Sequence, residues 1–184
     1  MGPLHRARTA ILVEGDSDRA ALAALAERRG LDLAARGTTI LSMGGATNIG
    51  RFIQRLGPPG PGLRLAGLYD VGEESHFRSA LEKAGLGGDP TEHGFHVCVA
   101  DLEDELIRAH GIAGVERVVT AQGDLRTLRT FRNQPAQRDR APEQQLRRFL
   151  GTTAGRKIHY ARALVETLSA TNIPEPLDRT LDHA

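Results

Sequence analysis

Four times within its first hundred residues this chain passes from a short β-branched or aliphatic run into glycine or acid, and then into a helical pattern. That rhythm limits the fold more than any other feature. The first instance is Ile11-Leu12-Val13 running into Glu14-Gly15-Asp16-Ser17-Asp18, followed by a helix through Ala20, Leu22, Leu25 and Ala26 that Gly30 closes. Further strands are expected at Thr38 to Ser42, Leu63 to Tyr69 and Phe95 to Ala100. Helices are expected through Ile49, Ile53 and Leu56, over Ser75 to Lys83, and from Leu106-Ile107 onward, with a short extra strand at Val115 to Thr120. Short connections between alternating strands and helices predict a mainly parallel sheet with helices on both faces. In such sheets functional groups gather beyond the strand C-termini.

Size and composition agree with one domain. The 184 residues carry 40% hydrophobic and 26% charged side chains with a formal net charge of +1, which suits an ordinary globular chain. We expect a single domain over 1–184, with a core at about 7–120 and a basic, helical C-terminal part at about 121–184. No apolar run has the length of a membrane span, and the Met1-Gly2-Pro3-Leu4-His5-Arg6 start lacks the apolar core of a signal peptide, so a cytoplasmic location is expected. The single cysteine, Cys98 between Val97 and Val99, reads as a buried strand residue.

Acids recur at three strand ends: Glu14 after the first strand, Asp70 after the third, and Asp101 with Glu103 after the fourth. Asp18 falls in the first turn of the first helix, where it could face the same point as Glu14. Taken one at a time, these residues also fit a turn cap or a first-turn acid favoured by the helix dipole. Together they match the demand of metal-assisted phosphoryl transfer, in which fixed carboxylates hold divalent ions that polarise phosphate and activate water.

From Val119 to Arg162 ten basic side chains face three acids. Charge alone fits a solvated helical face as well as a surface that tracks phosphates, for which Arg126, Arg129, Arg132, Arg147, Arg148 and Arg156 are the candidate contacts. Asn133 to Pro142, rich in Gln, Arg, Asp and Pro, is expected to be a mobile loop. Only two lysines occur against 22 arginines. One of them, Lys157, therefore stands out as a place where a compact ammonium is wanted in place of a guanidinium fork. His93 and His96 have the spacing of a ligand pair but lack a second pair, so a turn entering a strand is the preferred reading.

Val13-Glu14-Gly15 with Asp18, followed by Tyr69-Asp70, resembles a Toprim domain, the metal-binding fold of topoisomerases, primases and several nucleases. Asp101-Leu102-Glu103-Asp104-Glu105-Leu106 resembles the acidic motif of the OLD (overcoming lysogenization defect) nucleases. Gly155-Arg156-Lys157-Ile158 and Asn172-Ile173-Pro174-Glu175-Pro176-Leu177 resemble the end of the same region. The resemblance implies a Rossmann-like α/β Toprim fold with a helical C-terminal extension, and a DNA endonuclease dependent on Mg²⁺ or Mn²⁺. It also implies metal ligands at Glu14, Asp18, Asp70 and Glu103, with Asp101 a lesser candidate. Lys157 would stabilise the transition state, and Glu14 would double as general acid or base.

Two departures accompany it. The family pattern has a second aspartate two residues after the first, where this chain has Asp70-Val71-Gly72; Glu73 or Glu74 is the expected substitute. No Gly-x-x-x-x-Gly-Lys loop is present, so any ATPase would be a separate subunit. Two other functions are compatible with the same residues: a non-catalytic module that binds nucleic acid or a protein partner, and nucleotidyl transfer of the kind primases perform.

Overall fold

The computed structural model describes residues 7–184; the Met1–Arg6 segment, on which the signal-peptide expectation rests, lies outside them. Four parallel strands, β1 (Thr9–Val13), β2 (Thr38–Ser42), β3 (Arg64–Asp70) and β4 (Phe95–Cys98), form one sheet in the order β2-β1-β3-β4. Helices α1 (Asp16–Arg28), α2 (Ile49–Leu56), α3 (Glu74–Lys83) and α4 (Leu102–Ala121) follow the four strands in turn. Beyond them come α5 (Leu125–Arg132), α6 (Pro142–Leu150), α7 (Ala154–Thr167) and α8 (Glu175–Asp182). No helix among the described residues is long and apolar enough to cross a membrane.

Strand alternation explains the two cores. Ile11 and Val13 of β1, with Ala66 and Leu68 of β3, face a large apolar cluster built from α1, α4, α6, α7 and α8. Ala10 and Leu12, with Leu65 and Tyr69, face a smaller cluster under α2 and α3 that includes the stacked pair Tyr69–Phe77, 4.7 Å between ring centroids. Residues Ala10 to Val13 are therefore completely inaccessible. A strand buried on both faces needs a continuous apolar run, which is what Ala10-Ile11-Leu12-Val13 supplies. Each fully buried aliphatic side chain contributes about 1.5–3 kcal/mol, so displacing β1 would forfeit several such contributions at once.

The expected extra strand at Val115 to Thr120 is instead the C-terminal half of α4. Its β-branched content favours a strand locally, but Val115, Val118 and Val119 recur at helical spacing and are buried against the large core, so tertiary packing decides. Gly111, at φ 66° and ψ 163°, breaks α4 into two segments. The fourth strand also ends earlier than expected. The Val99 N–H leaves the ladder to donate to Glu105 Oε1 at 2.8 Å, and the Val99 side chain is 64% exposed. The Asn133–Ala141 connection is a series of turns, and Gln145 Nε2 of α6 donates to the Gln137 carbonyl within it at 2.8 Å.

Where β1 and β3 lie side by side, Gly67 is the register partner of Leu12, and a Cβ built on Gly67 would come within 2.1 Å of the Leu12 carbonyl oxygen. The strands cannot separate without opening both cores. Gly67→Ala should therefore cost at least the ~1–3 kcal/mol typical of overpacking, read as a lowered urea midpoint with an unchanged m-value.

Candidate metal and nucleic-acid site

The C-terminal edge of the sheet carries the acids. Glu14 directly follows β1, Asp70 is the last residue of β3, Asp101 is the N-cap of α4, and Glu103 lies in its first turn. Asp18 lies in the first turn of α1, where its Oδ2 accepts from the Gly15 N–H at 2.8 Å. Asp101 Oδ1 accepts from the Asp104 N–H at 2.8 Å, and its Oδ2 takes two contacts from Arg147 of α6, at 2.7 Å from Nε and 2.6 Å from Nη2. Glu103, 6% exposed, meets the Lys157 ammonium at 3.3 Å through Oε2, while its Oε1 is buried without a hydrogen-bond partner. Among the described residues, Glu14 and Asp70 engage no side-chain hydrogen bond or ion pair.

The electrostatics follow from this crowding. Burial first, and then the negative charge of Glu14, Asp101 and Asp18, push the Asp70 carboxyl up to about 7. Asp18 is raised chiefly by burial, against the Gly15 hydrogen bond and Lys157, which both pull it down. Glu103 is raised by burial, with Lys157 opposing. Burial works against the charge on Lys157, but Glu103 and Asp18 outweigh it and its ammonium is held above the usual lysine range. The N-termini of α1 and α4 open at this same edge, adding partial positive charge.

The acids thus fit a divalent cation in chemistry: hard oxygen donors, an excess of negative charge, and one orphaned buried oxygen on Glu103. They are not gathered as they stand. Among the described residues no group of three or more His, Cys, Asp or Glu side chains is close enough to hold an ion, and Asp101 and Glu103 are paired with Arg147 and Lys157.

The basic candidates divide. Arg147, Arg148 and Lys157, joined by Arg140, line one cleft with Asp101 and Glu103. Arg156 lies over the Phe149 ring at 4.6 Å and donates to Thr152 Oγ1 at 3.3 Å. Arg132 is pinned to Glu116 Oε1 at 2.5 Å, whereas Arg126 and Arg129 are exposed on α5 and do not line the cleft. Glu73 and Glu74 pair within their own turn and helix, with His76 at 3.4 Å and Arg78 at 2.7 Å. A Cβ at Gly72 would meet nothing within 4 Å. His93 contacts the Gly87 carbonyl at 2.7 Å, and His96 contacts His183 of the α8 cap at 3.4 Å, so the two histidines serve separate contacts. Glu105, which the sequence shows only as one acid of a motif, has a structural role. Almost wholly buried, it ties the end of β4 to α4 through the Val99 N–H and pairs with Arg108 at 2.6 Å.

Between its ordinary value and about 7, Asp70 keeps in the folded state a proton that the unfolded chain has released, so its contribution to stability falls as pH rises through that window. Asp70→Asn, which keeps the shape and cannot ionise, should therefore gain in melting temperature over the metal-free wild type as pH rises from about 6 to about 8. Thermal melts of both proteins across that range check this, and a constant difference would refute it.

Comparison with known proteins agrees with this architecture. Residues 7–58 match the family model for the Toprim domain of overcoming-lysogenization-defect-protein-like proteins. No curated protein sequence matches the chain. The C-terminal region of the Xanthomonas campestris pv. campestris OLD protein is 26% identical, with a TM-score of 0.75 over 99% of this chain and 94% of that one. The C-terminal region of the Burkholderia pseudomallei OLD protein is 23% identical, with a TM-score of 0.73 over 96% of each chain, a likeness of fold. Toprim domains generally bind divalent metals. Residues 7–58 thus carry the OLD-like Toprim signature, and over nearly its whole length the chain is similar in fold to the C-terminal region of an OLD protein.

Proposed function

We propose that this protein is a divalent-metal-dependent nuclease that hydrolyses DNA phosphodiester bonds at the C-terminal edge of its sheet. The observation that carries the reading is the pair of unpartnered carboxylates, Glu14 and Asp70, set among further acids that raise Asp70 to about 7. A cation would offset the repulsion in such an arrangement. Glu14, Asp70 and Glu103 would hold Mg²⁺ or Mn²⁺, with Asp18 and Asp101 beside them. Once bound, the ion supplies Lewis-acid polarisation of the phosphate and a more acidic water.

The chain's own residues do the rest. Glu14 follows a strand buried on both faces, and the carboxylate oxygen that it does not give to the ion would take the proton of the attacking water. Lys157 donates from its ammonium to the oxygen on which negative charge grows, a point charge held ready by Glu103. Arg147, Arg148 and Arg140 grip neighbouring phosphates of the strand. With Gly72 in place of a second aspartate and with Glu73 and Glu74 engaged elsewhere, one ion per chain is held well.

Purified protein should nick or degrade DNA only with Mg²⁺ or Mn²⁺. Glu14→Gln and Lys157→Ala should each lower the rate by ~10²-fold or more, with circular dichroism unchanged. Metal-independent cleavage, or full activity in both variants, would sink the proposal. The same scaffold without turnover would be a binding module, recognised by DNA binding with no cleavage under any divalent ion. Gly72→Asp restores a carboxylate where space is open. It should raise the number of Mn²⁺ ions held per chain from about one toward two in equilibrium dialysis, as an added hard oxygen donor should.

A further inference from the structure

Two of the five acids at the sheet edge are neutralised by cations of the chain itself, and both of those cations line the cleft between α4, α6 and α7. The Arg147–Asp101 pair is built unevenly. Asp101 Oδ1 is fixed by the Asp104 N–H, while Oδ2 is held only by Arg147. The Asp101 side chain is 17% exposed against 47% for Arg147, so the guanidinium can swing toward solvent while the carboxylate stays in place. Arg140 and Arg148 flank it and place further positive charge around the same opening. Four cations against two acids leave the cleft positive enough to take an anion.

We propose that this cleft is a phosphodiester-binding site in which a DNA phosphate exchanges with Asp101 for Arg147, so that strand binding releases Asp101 Oδ2 to the divalent ion. The proposal rests on the nuclease reading above and adds to it a linkage between substrate and metal. Without DNA, Arg147 occupies a metal donor and no three carboxylates are gathered. With DNA, Arg147 forms a bidentate pair with a phosphate, for which its planar fork is suited, and Asp101 Oδ2 is left without a partner while Oδ1 stays fixed by the Asp104 N–H. No bond is made or broken covalently in this exchange. By reciprocity, metal binding strengthens the grip on DNA by the same factor as DNA strengthens the grip on metal. Ions then load where a strand is already in place.

The test uses the full chain, freed of metal, and reads Mn²⁺ affinity from the electron paramagnetic resonance signal of unbound Mn²⁺. Arg147→Ala and Arg147→Gln should each bind Mn²⁺ about 5–10-fold more tightly than wild type in the absence of DNA, a coupling at the low end of the usual range. Arg148→Ala removes the same charge from the same cleft without touching Asp101, and should change Mn²⁺ affinity by less than about twofold. In a second measurement, fluorescence anisotropy of a labelled phosphorothioate duplex should show tighter binding to wild type when Mn²⁺ is added, and that gain should vanish in Arg147→Ala. Equal effects of the Arg147 and Arg148 variants on Mn²⁺ affinity, or an undiminished gain in Arg147→Ala, would overturn the exchange while leaving the nuclease reading intact. Failure of wild type and every variant to bind Mn²⁺ would overturn both.

Discussion

Like charges crowded at the end of a rigid strand are the constraint around which the rest of this molecule is arranged. β1 is buried on both faces and cannot bend to relieve repulsion, so Glu14 stays where the strand delivers it, with Asp70 beside it on the neighbouring strand. Carboxylates so placed would destabilise the fold unless offset. Part of the offset is local, in the helix N-termini that open at the same edge. The remainder comes from far along the chain, as Arg147 and Lys157 on α6 and α7. The helical C-terminal extension is thus part of the electrostatic structure of the sheet, and it fills the large core at the same time.

How much of this could be read from sequence depended on the range of the interactions involved. The four strands, their order of appearance and the acids at their ends follow from local runs of residues, and the structure places them within a residue or two of expectation. Val115 to Thr120 went the other way because strand propensity and helical burial compete in a valine-rich stretch, and only the core it meets decides between them. The arginines show the limit more sharply. Arg132 and Arg147 look alike in a basic segment, yet one is pinned to Glu116 and the other to Asp101, 46 residues away. Those pairings are set by how α5 and α6 pack on α4, and no spacing rule encodes that.

The same applies to Gly72. Sequence reading could see the missing carboxylate and propose neighbours to replace it, but not that Glu73 and Glu74 lie within reach of His76 and Arg78. A helix favours pairs three and four residues apart, and the two glutamates follow that local preference.

Lys157 stands at the start of α7, and the other end of that helix is fastened independently. Arg28 of α1 donates to the Val165 and Leu168 carbonyls at 2.5 and 2.7 Å, closing the last turn across 137 residues of sequence. The helix that carries the ammonium is therefore held at both ends, by the Glu103 pair and the Thr153 cap at its start and by this tie to the first helix at its finish. Neither end of that helix is held by a hydrogen bond or ion pair from Asn133 to Ala141 among the described residues. Such a design lets the surface that meets a strand diversify while the reacting group stays registered to β1.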